Sequence, residues 1–105
     1  MQKRLAFKMK LYAGMAVEYK IRHDEIWPEL AILLKQYAIS DYFIFLDEET
    51  NTLFASYLIN NEEGLKGLSE EPLMKKWWHY MQDIMETNED ASPISIPLKH
   101  LFYLG

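Results

Sequence analysis

Tyr19 and His23 lie four residues apart in a stretch with helical spacing, and Trp27 lies four further on. Residues four apart on a helix share a face, so the phenol of Tyr19 and the imidazole of His23 should be neighbours. An imidazole, with an unperturbed pKa of roughly 6.5, is the side chain suited to giving and taking protons near neutral pH. Spacing leaves two readings of His23 open: a proton-transfer group, or a histidine stacked among aromatics in a core. Trp77 and Trp78 are adjacent, about 100° apart on a helix, so they cannot point to the same place. Trp77 falls in line with Leu73, Met81, Ile84 and Met85 and is expected inside. Trp78 falls at the edge of that stripe, where an indole offers a flat apolar face and an N–H donor to a ligand. Core packing of both indoles is the alternative. Tyr42 opens a strand and could aim its hydroxyl into the same pocket as Tyr19, although tyrosine is ordinary in strands.

Other chemistries find little support. His23, His79 and His100 are far apart in sequence, without H-x-x-x-H or H-E-x-x-H spacing, and the pairs Glu48-Glu49 and Glu70-Glu71 read as solvated turns and helix starts. No metal site is expected, and no cofactor. The sequence has no glycine-rich phosphate loop, no serine in a nucleophile elbow and no cysteine. An enzyme built on this chain therefore transfers protons or binds its ligand between aromatic walls.

The elements that must hold these side chains follow from periodicity. Lys3 to Leu11 alternates, with Leu5, Phe7, Met9 and Leu11 on one side, and reads as a strand with one covered face. Ala13-Gly14 breaks that period. Met15 to Ile39 has helical spacing, and Pro28 divides it into two pieces meeting near Ile26-Trp27, with Pro28 opening the second. Tyr42 to Asp47 and Leu53 to Ile59 flank a polar turn and predict a hairpin. Both alternating faces of Tyr42 to Leu46 are apolar, which suggests a central strand covered on both sides. Asn60 to Glu71 is polar, with two glycines, and should hold a short helix or turn. Pro72 to Met85 reads as a helix, Thr87 to Pro93 as a loop and Ile94 to Leu104 as a last strand. The order is α+β, the split βαββαβ plan of ferredoxin-like folds. Such a sheet has one face under helices and one in need of a cover, so a homodimer is expected.

Bulk composition agrees with this plan. The chain has 105 residues, 50% of them hydrophobic, enough for a single domain over residues 1–105. Net charge is −5 and the 11 Lys and Arg are scattered, which argues against nucleic acid. The absence of cysteine suits a reducing cytoplasm. The first ten residues interleave charge with apolar side chains, so neither a signal peptide nor a membrane span is expected there. Three Trp, seven Tyr and five Phe make an aromatic content of 14%, which serves a core and a sugar-stacking wall equally well.

Four ordered blocks carry a family resemblance. They are Glu18-Tyr19-Lys20-Ile21-Arg22-His23-Asp24-Glu25-Ile26-Trp27-Pro28-Glu29-Leu30; Tyr42-Phe43-Ile44-Phe45-Leu46-Asp47 followed by Leu53-Phe54-Ala55; Trp77-Trp78-His79-Tyr80-Met81-Gln82-Asp83-Ile84-Met85; and Ser92-Pro93 with the terminal Leu101-Phe102-Tyr103-Leu104. Over essentially the whole chain they resemble the L-rhamnose mutarotases. The resemblance implies a dimeric α/β barrel, a cytoplasmic role in rhamnose use, His23 as proton donor, and Tyr19, Tyr42, Trp77 and Trp78 as sugar contacts. Glu89 and Ala91 depart from the family's usual Asn-Pro-Asp-Asn-Ser-Pro loop, and Tyr12-Ala13 replaces a commoner polar-Pro turn. The implied chemistry is acid and base catalysis of ring opening and closure, which needs neither metal nor nucleotide nor nucleophile. Two rivals share the topology: a small dimeric monooxygenase acting on haem or an aromatic substrate, and a non-enzymatic dimeric binding module.

Overall fold

The computed structural model describes residues 2–105. In chain order the elements are β1 (Lys3–Lys10), α1 (Ala16–Asp24), α2 (Pro28–Gln36), β2 (Ser40–Asp47), β3 (Thr52–Ile59), two short 3₁₀ turns (Glu62–Leu65 and Leu68–Glu70), α3 (Pro72–Met81) and β4 (Ile96–Pro97). The strands form one antiparallel sheet in the order β2-β3-β1-β4. This is a small α+β fold on the expected βαββαβ plan, with two helices in the first crossover.

Local chemistry accounts for the breaks. Gly14 adopts φ +80° in the turn after β1, a conformation that glycine enters without steric penalty. Trp27 is extended, with ψ 129°, because the ring of Pro28 disfavours helical geometry at the residue before it; α1 and α2 therefore separate there and Pro28 opens α2. In the β2–β3 hairpin the Asp47 carboxylate accepts the Glu49 N–H and the Thr50 hydroxyl, which closes the turn.

One face of the sheet is covered by the helices. Met9 and Leu11 from the first strand region and Leu53 and Ala55 from β3 pack with Tyr19 of α1, Leu30 of α2, and Trp77 and Met81 of α3. The side chains that alternate with them, among them Arg4, Lys8, Phe43, Phe45 and Phe54, lie on the opposite, outer face. Phe45 is 65% exposed there.

Three sequence expectations need correction. β2 is an edge strand, not a central one; its inner residues Ile44 and Leu46 meet the helices, while the apolar residues on its other side, Phe43 and Phe45, face outward, away from the helices. α3 ends at Met81, four residues early. Ile84 and Met85 still reach the core, because the chain turns there to bond alongside the end of β1, with the Tyr12 N–H donating to the Ile84 carbonyl at 2.9 Å and the Glu86 N–H to the Lys10 carbonyl at 3.0 Å. The last strand is only Ile96–Pro97, where Pro97 has no N–H to extend the ladder. Beyond it the Leu98 N–H still donates to the Ala6 carbonyl, and residues 101–104 run on without regular structure, Leu101 being 84% exposed.

Candidate active site

Between the inner face of the sheet and the helices lies a cleft of ≈ 1420 Å³. Small-molecule pockets are usually about 300–1,000 Å³, so one small ligand would fill only part of it. Tyr19, His23, Tyr42, Trp77 and Trp78 all line it, and the structure thus brings together every site residue expected from the sequence. His79 also lines the cleft, on the exposed side of α3, and His100 lies exposed in the C-terminal segment. No group of three His, Cys, Asp or Glu side chains close enough to hold a metal ion occurs among the described residues.

The helical wall is regular. His23 lies one turn after Tyr19, and the two rings stack at 4.2 Å between centroids with 25° between planes. Trp77, projecting from α3, meets the His23 ring edge-on at 5.5 Å. Trp77 is in turn surrounded by Trp27 at 5.0 Å and Tyr80 at 5.6 Å. Trp78, the neighbour of Trp77 in sequence, is partly buried at the cleft edge, as its place beside the apolar stripe predicts.

Hydrogen bonding fixes which nitrogen of His23 is available. Nδ1 lies 3.0 Å from the main-chain carbonyl oxygen of Tyr19. A carbonyl only accepts, so Nδ1 carries the hydrogen, and in the neutral ring the lone pair is on Nε2. Burial lowers the pKa of His23 below its ordinary value, against the opposing influence of the Tyr19 carbonyl and the nearby Asp24. At neutral pH the imidazole is therefore uncharged, with Nε2 able to accept a proton. Burial, and then the proximity of Tyr42, pushes the Tyr19 phenol upward; burial, and then Tyr57, does the same for Tyr42. Both phenols stay protonated as hydrogen-bond donors. Tyr42 is nonetheless 41% exposed, as befits a cleft wall: water reaches part of the ring while protein surrounds most of it.

Next to His23, Arg22 ties α1 to the end of α3. Its guanidinium donates to Glu18 at 2.7 Å, to the Tyr80 carbonyl at 2.7 Å and to Asp83 at 2.8 and 3.2 Å, and it lies 4.6 Å over the Tyr80 ring. The Asp83 carboxyl is held below its usual range by that bond. Arg22 thus fixes the spacing of the two helices that carry His23 and Trp77.

The strand wall holds one residue that the sequence reading did not single out. Tyr57 of β3 meets the Tyr42 ring edge-on at 5.0 Å and is itself backed by Phe7 of β1 at 5.7 Å. Strand alternation puts Leu53, Ala55, Tyr57 and Ile59 on one face, and that was the available signal for Tyr57. Trp27 was aligned by spacing with Tyr19 and His23; it leaves the helix and packs behind Trp77 instead, outside the residues that line the cleft.

A model of the L-rhamnose mutarotase family matches residues 4–104. The chain belongs to the L-rhamnose mutarotase family. Among its relatives, the L-rhamnose mutarotase of Formosa agariphila is 54% identical over 101 residues, covering 96% of this chain and 97% of the relative. That of Mesorhizobium japonicum is 51% identical over 105 residues, with both chains covered in full. A crystal structure of an L-rhamnose mutarotase from Formosa agariphila superposes with a TM-score of 0.91 at 51% identity, covering 98% of this chain and 99% of that one. A putative antibiotic biosynthesis monooxygenase from Chloroflexus aurantiacus superposes with a TM-score of 0.52 at 12% identity, which extends the likeness of fold and no further. The mutarotase family, not the monooxygenase rival, accounts for the blocks that line this cleft.

Proposed function

We propose that this chain is an isomerase that interconverts the α and β anomers of L-rhamnose, working as a single mutarotase domain with His23 as its proton-transfer residue. The observation that carries the reading is the partly buried, uncharged His23 with Nε2 free, set between two tyrosine-bearing walls in a family member. Ring opening moves one proton from the anomeric hydroxyl to the ring oxygen. Nε2 takes the proton from the anomeric oxygen as the bond from C1 to the ring oxygen breaks, and the resulting imidazolium delivers it to the ring oxygen. The aldehyde then presents its other face, the ring oxygen attacks C1 and the proton returns by the same route, leaving His23 neutral. Tyr19 and Tyr42, held protonated, donate hydrogen bonds to the sugar oxygens and help carry the proton between them. The indoles of Trp77 and Trp78 supply apolar surface for the sugar ring and its C6 methyl group. No cofactor enters this scheme.

The test is saturation-transfer proton NMR on L-rhamnose at anomeric equilibrium. Exchange between the two H1 signals should quicken with the protein and fall back with His23→Ala; wild-type exchange in that variant would sink the assignment.

The reading includes a cytoplasmic homodimer closing a dimeric α/β barrel of ferredoxin-like halves. A cytoplasmic setting goes with a chain that has no cysteine to oxidise. Supporting the dimer are the exposed aromatic residues of the outer sheet face, Phe43, Phe45 and Phe54, and the exposed Leu101 to Leu104. Light scattering should give twice the mass of one chain, and Phe45→Glu should halve it; a monomeric wild type would refute this part.

A further inference from the structure

The position of Tyr42 is the least regular feature of the cleft. Ser40 pairs with Leu58 and Phe43 with Ser56, so two residues of β2, Asp41 and Tyr42, stand against the single residue Tyr57 of β3. Such a bulge re-aims a side chain at the point where it occurs. Asp41 has φ +48°, a left-handed conformation that aspartate enters more readily than most residues but which still needs support from its surroundings. Support comes from the other side of the sheet. Arg4 of β1 reaches across β3, donating to the Asp41 carboxylate, to the Ser56 hydroxyl at 2.8 Å and, at 3.5 Å, to the Asp41 carbonyl. Its guanidinium also lies 5.2 Å over the Phe43 ring. Both neighbours of Tyr42 in the chain are thus held by one side chain on the outer face, while Tyr57 meets its ring on the inner face.

We propose that Arg4 is a positioning residue for Tyr42: by fixing the bulge at Asp41 from outside the cleft, it sets where the Tyr42 phenol stands inside. The proposal rests on the reading of Tyr42 as a sugar contact. It also distinguishes the Arg4–Asp41 pair from an ordinary surface ion pair, which would leave catalysis untouched.

The experiment is a double-mutant cycle read by anomeric exchange at varied L-rhamnose, with the mass of each variant in solution measured alongside. Arg4→Met should raise KM about 3- to 10-fold in the wild-type background and have no effect in Tyr42→Phe, because two changes acting through one group are not additive. The acid limb of the pH profile, which belongs to His23, should not move. Asp41→Asn, which keeps an acceptor and tolerates a left-handed backbone, should resemble wild type, whereas Asp41→Ala should match Arg4→Met. An unchanged KM in Arg4→Met, or an equal rise in both backgrounds, overturns the positioning role while leaving Tyr42 as a sugar contact. A Tyr42→Phe variant with wild-type KM and kcat overturns that contact, and the positioning role with it. Should Arg4→Met fail to fold, the contrast between Asp41→Asn and Asp41→Ala decides: equal KM values in the two would overturn the proposal.

Discussion

The two walls of the cleft are built in opposite ways. On the helical wall, Tyr19 and His23 take their places from the pitch of α1 alone, and a second helix brings Trp77 against the histidine. Arg22, adjacent to His23, ties those helices together. On the strand wall, Tyr42 sits on an edge strand at a break in the ladder, after a left-handed residue, and depends on side chains from two other strands. A regular element needs only its own hydrogen bonds to position a side chain, whereas an irregular one depends on tertiary contacts. The helical wall therefore suits the residue that must be held most firmly, the proposed proton carrier, and the strand wall a residue proposed to bind and orient the sugar.

Substitutions should separate the walls by size of effect. His23→Ala removes the proposed proton carrier and should lower kcat about 10²–10⁴-fold with the fold intact, as anomeric exchange and circular dichroism would show. A loss under tenfold would mean that the strand wall does most of the chemistry. Trp77, 6% exposed, is as much core as wall, and Trp77→Ala should destabilise the protein by about 3–5 kcal/mol in urea unfolding. Trp78→Ala, at the cleft edge, should change stability far less while raising KM on the order of tenfold, consistent with the 1.4 kcal/mol that each factor of ten represents. Unfolding instead would identify Trp78 as core. Tyr42→Phe removes one hydrogen bond, worth about 0.5–1.5 kcal/mol, and should cost only a few-fold to about tenfold.

The pH profile sharpens the same contrast. In the proposed mechanism His23 must be neutral to begin the cycle, and burial lowers its pKa below the ordinary 6.5, so kcat should hold steady down to that pH and decline only beneath it. Burial raises the phenols of Tyr19 and Tyr42, so no alkaline decline should occur at the ordinary tyrosine value of 10.0. An acid limb centred above 6.5 would mean that the reacting form is the imidazolium.

Legibility followed the same division. The i, i+4 relation of Tyr19 and His23, the inward and edgeward placement of Trp77 and Trp78, and the break at Pro28 all follow from helical pitch and the steric rule for residues before proline. Tyr57 was missed because alternation marks a face without saying what stands across it. Apolar residues on both sides of β2 suggested a central strand, since composition records that a side chain is hydrophobic and not what covers it.

By itself, then, the sequence determined the order of the elements, the absence of thiol chemistry and the face on which the phenol and imidazole meet, because these depend on neighbours within a few residues. Only the tertiary structure decided that β2 is an edge strand, that Tyr57 faces Tyr42 and that Arg4 reaches Asp41 across 37 residues of chain. It also decided that the His23 ring is uncharged at neutral pH, because burial by residues distant in the chain lowers its pKa. Pairing register and desolvation depend on parts of the chain far apart in sequence, and local pattern carries no record of them.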